Sequence, residues 1–436
     1  MDKSKLLASA LSLMLMSTAT ITAQEIADTA GYSKFRLGSY GEMVASFKDY
    51  GINRFQKDGA SRDHRNTIAI PRFVLAMDYK FTPKWILGTE IEFESGGTGS
   101  AYELENKENG EYETEVEKGG EVALEQFHLT RLIAREFNIR VGHMVLPVGM
   151  VNAHHEPINF FGTERPESET SILPSTWHET GISFFGTFGK GRGLTAYQAM
   201  IVAGLNANGF DRDRWVAGGK QGFFETDNFT SPAYVGRVDY LGISGLRTGV
   251  SVYYCRNTVS NADKPQTYAA YGRVPLTIFT WDAQYRNRYV TAHANLIYGH
   301  LGNSKAVNER NGMLQGSSPY SRLTPVAKNA LSYGAEIGFN IGNIFKIKNC
   351  PTIYPYARYE YYNPQKSIQK PYNPDNRLEV SQWSAGVNWF ALPNLVVKAD
   401  YRTRRIGTSK IFGKGEYNSE NEFSIGIAYI GWFIRK

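Results

Sequence analysis

After residue 32 this chain breaks into roughly sixteen stretches of about 10–14 residues, each alternating apolar with polar side chains. Period-two alternation makes a strand with one apolar and one polar face. Tilted strands of about 9–11 residues are what a lipid bilayer requires of a spanning sheet. The links alternate too. Short ones fall at 81–84, 135–138, 189–192, 241–245, 287–288 and 391–394, with a somewhat longer one at 341–351. Long ones fall at 48–66, 95–120, 149–176, 205–231, 257–273, 301–328, 364–378 and 406–419. Even strand number, short turns at one end and long loops at the other predict an all-β fold, a transmembrane antiparallel β-barrel of about 16 strands. Short turns are then periplasmic, long loops extracellular, and both termini periplasmic. A soluble sandwich or β-helix would not produce this parity.

Alternation also assigns faces. The first strand, about 34–47, sets Phe35, Leu37, Met43, Ala45 and Phe47 against Arg36, Tyr40 and Glu42. The second, about 67–80, sends Phe73, Leu75, Met77 and Tyr79 toward lipid and Arg72 and Asp78 inward. The third shows Trp85, Leu87, Ile91 and Phe93 against Glu90, Glu92 and Glu94. Later strands send Phe279, Trp281, Tyr285, Trp383, Val387 and Trp389 outward, and Asp282, Gln284, Arg286, Gln382, Ser384 and Asn388 inward. The fifteenth is the sharpest, with Lys398, Asp400, Arg402 and Arg404 on one face. A Lys or Arg facing lipid at mid-depth costs about 2–4 kcal/mol, so that face must be the wet lumen. Strands four, six and seven (about 121–134, 177–188 and 193–204) alternate too poorly to assign.

The high aromatic content (27 Tyr, 24 Phe, 7 Trp) fits girdles at both interfaces. A mean hydropathy of −0.37 fits a barrel whose alternate spanning residues face water. The net charge of +6 is matched by no basic cluster or nucleic-acid motif, so no nucleic acid partner is expected. Residues 1–23 read as a signal peptide: Lys3 and Lys5, an apolar run over 6–16 too short to span, and a small-residue exit ending at Ala23. Residues 24–436 are then the barrel. Cys255 and Cys350 offer neither a disulfide framework nor a CxxC metal pair. The last strand, about 421–433, carries Phe423, Ile425, Ile427, Tyr429 and Phe433 on one face, resembling the signal read by barrel-assembly machinery. Here Ile434, Arg435 and Lys436 run on past that aromatic.

Reactive chemistry finds little support. GxSxG, a P-loop and a GxGxxG opening a helix are all missing, so no enzyme and no cofactor are expected. His154, His155 and Glu156 are adjacent, and sequence neighbours rarely converge on one metal. Adding His143 and His178 gives no known zinc spacing, so no metal site is expected.

One segment is specific. Arg140-Val-Gly-His-Met-Val-Leu-Pro-Val-Gly149 leads into His154-His155-Glu156-Pro157, Glu164-Arg165-Pro166, Leu173-Pro174 and Trp177-His178-Glu179-Thr180-Gly181. This resembles the phosphate-selective porin O and P family, in its Bacteroidetes outer-membrane form. The resemblance implies a sixteen-stranded barrel, a homotrimer, conduction of small anions or other small solutes, and a third long loop folded inward to narrow the barrel. In this chain that loop is 149–176. Its composition agrees, since Phe160, Phe161, Ile172 and Leu173 among Pro157, Pro166 and Pro174 are more apolar material than a solvated loop needs. The alternative is that it packs on a neighbouring subunit. The Glu-rich stretch 95–120, with almost no large aliphatics, reads instead as a flexible surface loop.

The inward bases are Arg36, Arg72, Arg237, Arg247, Arg286, Arg358, Lys398, Arg402 and Arg404. The inward acids are Glu42, Asp78, Glu90, Glu92, Asp239, Asp282, Glu336, Glu360 and Asp400. Rings of Arg or Lys select anions, and Arg forks match phosphate. The even mixture argues for a general pore with a local basic stripe at Lys398, Arg402 and Arg404. Each Arg could instead be a cross-strand ion pair that stiffens the wall. The expectation is an integral outer-membrane porin of a Gram-negative bacterium, in contact with membrane lipid. It would pass small hydrophilic solutes, anionic or neutral, by passive diffusion with weak anion or phosphate preference. Its constriction would carry His154, His155, Glu156, Glu164 and Arg165. The alternative is a surface receptor or adhesin whose long loops bind a partner.

Overall fold

A computed structural model describes residues 33–52, 62–107, 111–221, 226–262, 264–314, 323–348, 350–407 and 417–435. The leader assigned to 1–23 lies outside them. The first eight strands are β1 (Phe35–Ile52), β2 (Arg62–Thr82), β3 (Trp85–Lys107), β4 (Glu111–Leu132), β5 (Asn138–Val145), β6 (His178–Phe188), β7 (Thr195–Val202) and β8 (Ala233–Ile243). The second eight are β9 (Leu246–Cys255), β10 (Leu276–Arg286), β11 (Val290–Leu301), β12 (Asn329–Phe339), β13 (Thr352–Ser367), β14 (Val380–Leu392), β15 (Leu395–Gly407) and β16 (Tyr417–Arg435). Each pairs antiparallel with its sequence neighbours, and β1 closes on β16. Closure leaves no free sheet edge.

The barrel is apolar outside and polar inside. Trp383 and Trp389 are 59% and 46% exposed, and Phe279, Trp281, Val387, Phe423, Ile425 and Ile427 share that outer surface. On β10, β14 and β15 Asp282, Gln382, Ser384, Asn388, Lys398, Asp400 and Arg402 are buried within. An apolar belt this extensive exceeds what a water-soluble monomer shows and suits lipid.

Three regions depart from the sequence reading or complete it. Residues 95–107 and 111–120 are not loop but extend β3 and β4 as a long antiparallel pair, with Gly99 opposite Gly119 and Lys107 opposite Glu111. Its sequence still alternates, Tyr102 and Leu104 with Glu103 and Glu105, and that period outweighs the acid content. In β4 the pairing with β3 slips: Glu90 faces Gln126 while the next residue, Ile91, faces Leu124. Glu125 is the extra residue of a β-bulge. Val122 points outward before it, Phe127 and Leu129 after it, and Glu125 and Gln126 are both buried. One inserted residue reverses the parity, which is why that strand alternates poorly. In β6 and β7 Phe185, Met200 and Val202 are buried inward while Phe188 and Ile201 lie outside. Both faces are apolar because the lumen beside them is packed rather than wet.

Candidate functional site

The connection between β5 and β6 enters the barrel. At its root Gly149 has φ 81°, and a Cβ there would lie 2.7 Å from a Glu169 carboxylate oxygen, so only glycine fits. The Val151 amide donates to that same oxygen at 2.7 Å. Asn152 ties the two ends of the loop together, donating to the Leu146 and Trp177 carbonyls and accepting the Trp177 amide at 2.6 Å.

The far side of the loop is bound to the β12–β16 wall. Lys398 Nζ donates to the carbonyls of Pro157, Phe160 and Gly162 at 2.5, 2.8 and 2.8 Å. Asp400 accepts the Thr163 amide at 2.7 Å, and Glu360 accepts the Ser168 amide at 2.9 Å. Arg402 pairs with Glu164 at 2.8 Å and Glu167 at 3.4 Å, and also with Glu422. Arg404 pairs with Glu167, and with Glu420 at 2.7 Å. Arg358 pairs with Glu336 at 2.6 Å and reaches the Glu164 carbonyl at 3.4 Å.

The near side diverges at the two histidines. His154 Nε2 lies 2.5 Å from Arg247, which pairs with Asp239 at 3.1 Å. His155 turns the other way, its Nε2 2.8 Å from the Tyr40 hydroxyl and 3.2 Å from Glu125. Glu156 accepts from Asn159 at 2.7 Å, and Arg165 donates to Ser175 and Thr176 at 2.8 and 3.0 Å. The loop therefore crosses the lumen and is fastened at both sides.

The nine bases assigned inward have partners that parity could not name. Arg36 meets Asp78, Arg72 meets Glu92 and Glu125, and Arg237 forks onto Asp239 and Asp282 at 2.7 Å each. With Arg247, Arg358, Arg402 and Arg404 these form ion pairs, and Lys398 is held by carbonyls. The stripe at Lys398, Arg402 and Arg404 does face the lumen, but as the loop's anchorage rather than as open positive charge. Arg286 differs. It lines a recess with Phe160, Phe161, Gln284, His293, Tyr354 and Phe390, and no carboxylate partner is seen for it among the described residues.

A second inward segment escaped the sequence reading. The connection between β7 and β8 buries Leu205, Phe210, Trp215 and Val216 against inward residues of the neighbouring strands, among them Met200, Val235, Tyr253, Leu276 and Ile278. Trp215 Nε1 donates to the Ala327 carbonyl at 3.1 Å, and its ring rests where a Cβ on Gly299 would stand. The apolar residues of 205–231 were the available signal, of the same kind as those that mark 149–176.

Comparison with known proteins agrees with the architecture. Salmonella typhi OmpF, solved in complex with daunomycin, superposes with a TM-score of 0.56 at 11% identity, over 92% of this chain and 98% of that one. The outer membrane channel DcaP of Acinetobacter baumannii gives 0.52 at 11% identity, over 93% and 99%. The anion-selective porin from Comamonas acidovorans gives 0.51 at 10% identity, over 92% and 100%. At such identities the likeness establishes the fold, a porin-type barrel. An uncharacterized protein of Aquifex aeolicus is 26% identical over 370 residues, covering 84% of this chain and 74% of that one. No protein-family model matches the chain. The comparisons thus reach the general porin barrel and give no specific support to the phosphate-selective family.

Proposed function

We propose that this protein is an outer-membrane porin through which small hydrophilic solutes diffuse passively past a constriction formed by 149–176. The observation that carries this reading is the loop itself, strapped across the lumen from the Tyr40–Glu125 side to Lys398, Asp400 and Arg402. A barrel serving only as an anchor has no need of such a cross-brace. Solutes are sorted by the width left beside the loop and by wall charge, with no covalent step. Because the wall bases are largely matched by acids, the charge preference is weak, and neither phosphate nor anion selectivity is built on a free cationic ladder. Cleavage after residue 23, insertion by barrel-assembly machinery and a homotrimer complete the reading.

Planar-bilayer recording tests it: the folded protein should give ohmic channels with little rectification. A folded protein that inserts but does not conduct would favour the receptor or adhesin reading. Topology is tested separately in a Cys350→Ser background. A cysteine placed within 103–107 should react with an impermeant maleimide on intact cells, and one within 341–348 should not. The reverse pattern would invert the barrel.

Arg286 gives the selectivity prediction. Arg286→Gln removes a guanidinium for which the described residues show no carboxylate partner, and a wall charge acts on a passing ion within a Debye length of about 10 Å at 0.1 M salt. The chloride-to-potassium permeability ratio should fall about two-fold, read from reversal potentials. Arg237→Gln should move it less, because Arg237 is neutralised by two aspartates. Equal shifts in the two variants would show that pairing does not set the wall's effective charge.

A further inference from the structure

Beneath the loop root, side chains from four elements aim oxygen or nitrogen at one point. Ligand atoms of Glu90 on β3, Glu125 on β4 and His155 on the loop lie within 4.8 Å of one another. The hydroxyl of Tyr40 on β1 sits among them, 3.4 Å from Glu90, 3.1 Å from Glu125 and 2.8 Å from His155 Nε2. Metal–ligand bonds of about 2.0–2.1 Å put tetrahedral ligand atoms about 3.3 Å apart. These edges therefore suit four ligands around one ion after small side-chain rotations.

Three further observations point the same way. The first is the placing of the donors. Tyr40 offers one hydroxyl to three neighbours. His155 Nδ1 lies 3.0 Å from the Asn152 carbonyl, an orientation that turns Nε2 toward the cluster. Nε2 is also 3.2 Å from a Glu125 oxygen.

The second observation is charge. Glu90, Glu92 and Glu125 gather around Arg72 and His155, three carboxyl groups from two neighbouring strands. Glu156, held by Asn159, adds no positive partner. Carboxyl groups brought this close supply the negative charge that a bound dication needs. The third is the bulge. The ladder breaks its register at Glu125 and so delivers a carboxylate that regular pairing would not place there.

We propose that Tyr40, Glu90, Glu125 and His155 bind one divalent transition-metal ion, of the zinc or manganese type, that fastens the root of the constriction loop to the β1–β4 wall. One imidazole with oxygen donors suits such an ion better than a soft monovalent one. The positions 40, 90, 125 and 155 form no spacing signature, and only the pairing of β1 through β4 and the inward loop bring them together.

The test uses the full-length mature protein, folded in detergent, stripped with chelator and dialysed. It is then titrated with ZnCl2 or MnCl2 alone, and bound metal is counted by plasma mass spectrometry, a readout independent of conduction. One equivalent per chain is expected at micromolar metal, with at least tenfold weaker binding in Glu90→Gln, Glu125→Gln and His155→Gln. Heat-dependent gel mobility reports folding of each variant, and Glu90→Gln and His155→Gln decide the matter if Glu125→Gln does not fold. No stoichiometric metal on the folded unsubstituted chain overturns the proposal. So does unchanged binding in both Glu90→Gln and His155→Gln. Loss of the ion in His178→Ala with retention in His155→Gln overturns it too, by placing the metal at the His143–His178 contact.

Discussion

Lys398→Met should leave the barrel folded and loosen the loop inside it. The ammonium is 2% exposed and serves three loop carbonyls, those of Pro157, Phe160 and Gly162. Methionine keeps the stem and removes every donor. Leaving a buried carbonyl without its donor costs about 1–3 kcal/mol, and three lose theirs here. Little of that falls on the barrel, because Lys398 points into the lumen and the β15 backbone pairs on both sides regardless. The cost falls on local opening of the loop. At about 1.4 kcal/mol per tenfold, 3 kcal/mol is roughly a hundredfold faster hydrogen exchange at the Thr163 amide, whose acceptor is Asp400. Open-channel noise and mean conductance should rise with it. If Lys398 instead served mainly to attract anions, the variant would shift the reversal potential and leave exchange at Thr163 unchanged.

That contrast marks where sequence stops being informative. Parity placed Lys398, Asp400, Arg402 and Arg404 on the wet face of β15, because charge facing lipid is costly. It could not say what each charge would meet, since the partners Glu164, Glu167 and the loop carbonyls lie more than 230 residues away in the chain. Faces were legible wherever one side met lipid and the other water, as in β10, β14, β15 and β16. They blurred at Glu125, where one bulged residue reversed the alternation, and at Met200 and Val202, where an apolar lumen removed the contrast between sides. His154 and His155 were legible as loop residues, and their divergence to opposite walls was not. The acid-rich 95–120 misleads for another reason: its composition suggests a solvated loop, whereas the pairing of Gly99 through Lys107 follows its period-two alternation.

The filling of the lumen by the β7–β8 connection predicts the other large effect. Trp215→Ala should unseat that segment and widen the channel. The indole is fully buried and its Nε1–H donates to Ala327. Truncating such a side chain costs about 3–5 kcal/mol, here drawn from one local cluster rather than from the strand ladder. Trp215 also has φ 58°, a left-handed backbone that costs a non-glycine residue about 1–2 kcal/mol, so the ring's packing must outweigh that strain. Trp215→Gly should therefore destabilise the segment by about 1 kcal/mol less than Trp215→Ala, although both lose the ring. Gly299→Ala approaches from the opposite side: its Cβ would stand 1.9 Å from the indole and evict it without touching the connection's own sequence. Gly299→Ala and Trp215→Ala should thus give the same raised conductance and the same new protease sensitivity within 203–221. Combined with Lys398→Met, either should depart from simple additivity, because Ile172 and Leu173 of the anchored loop share one apolar cluster with Trp215. A Trp215→Ala channel that conducts as before, in protein whose 203–221 segment has become protease-sensitive, would show that this half of the lumen carries no solute and that the whole path lies beside 149–176.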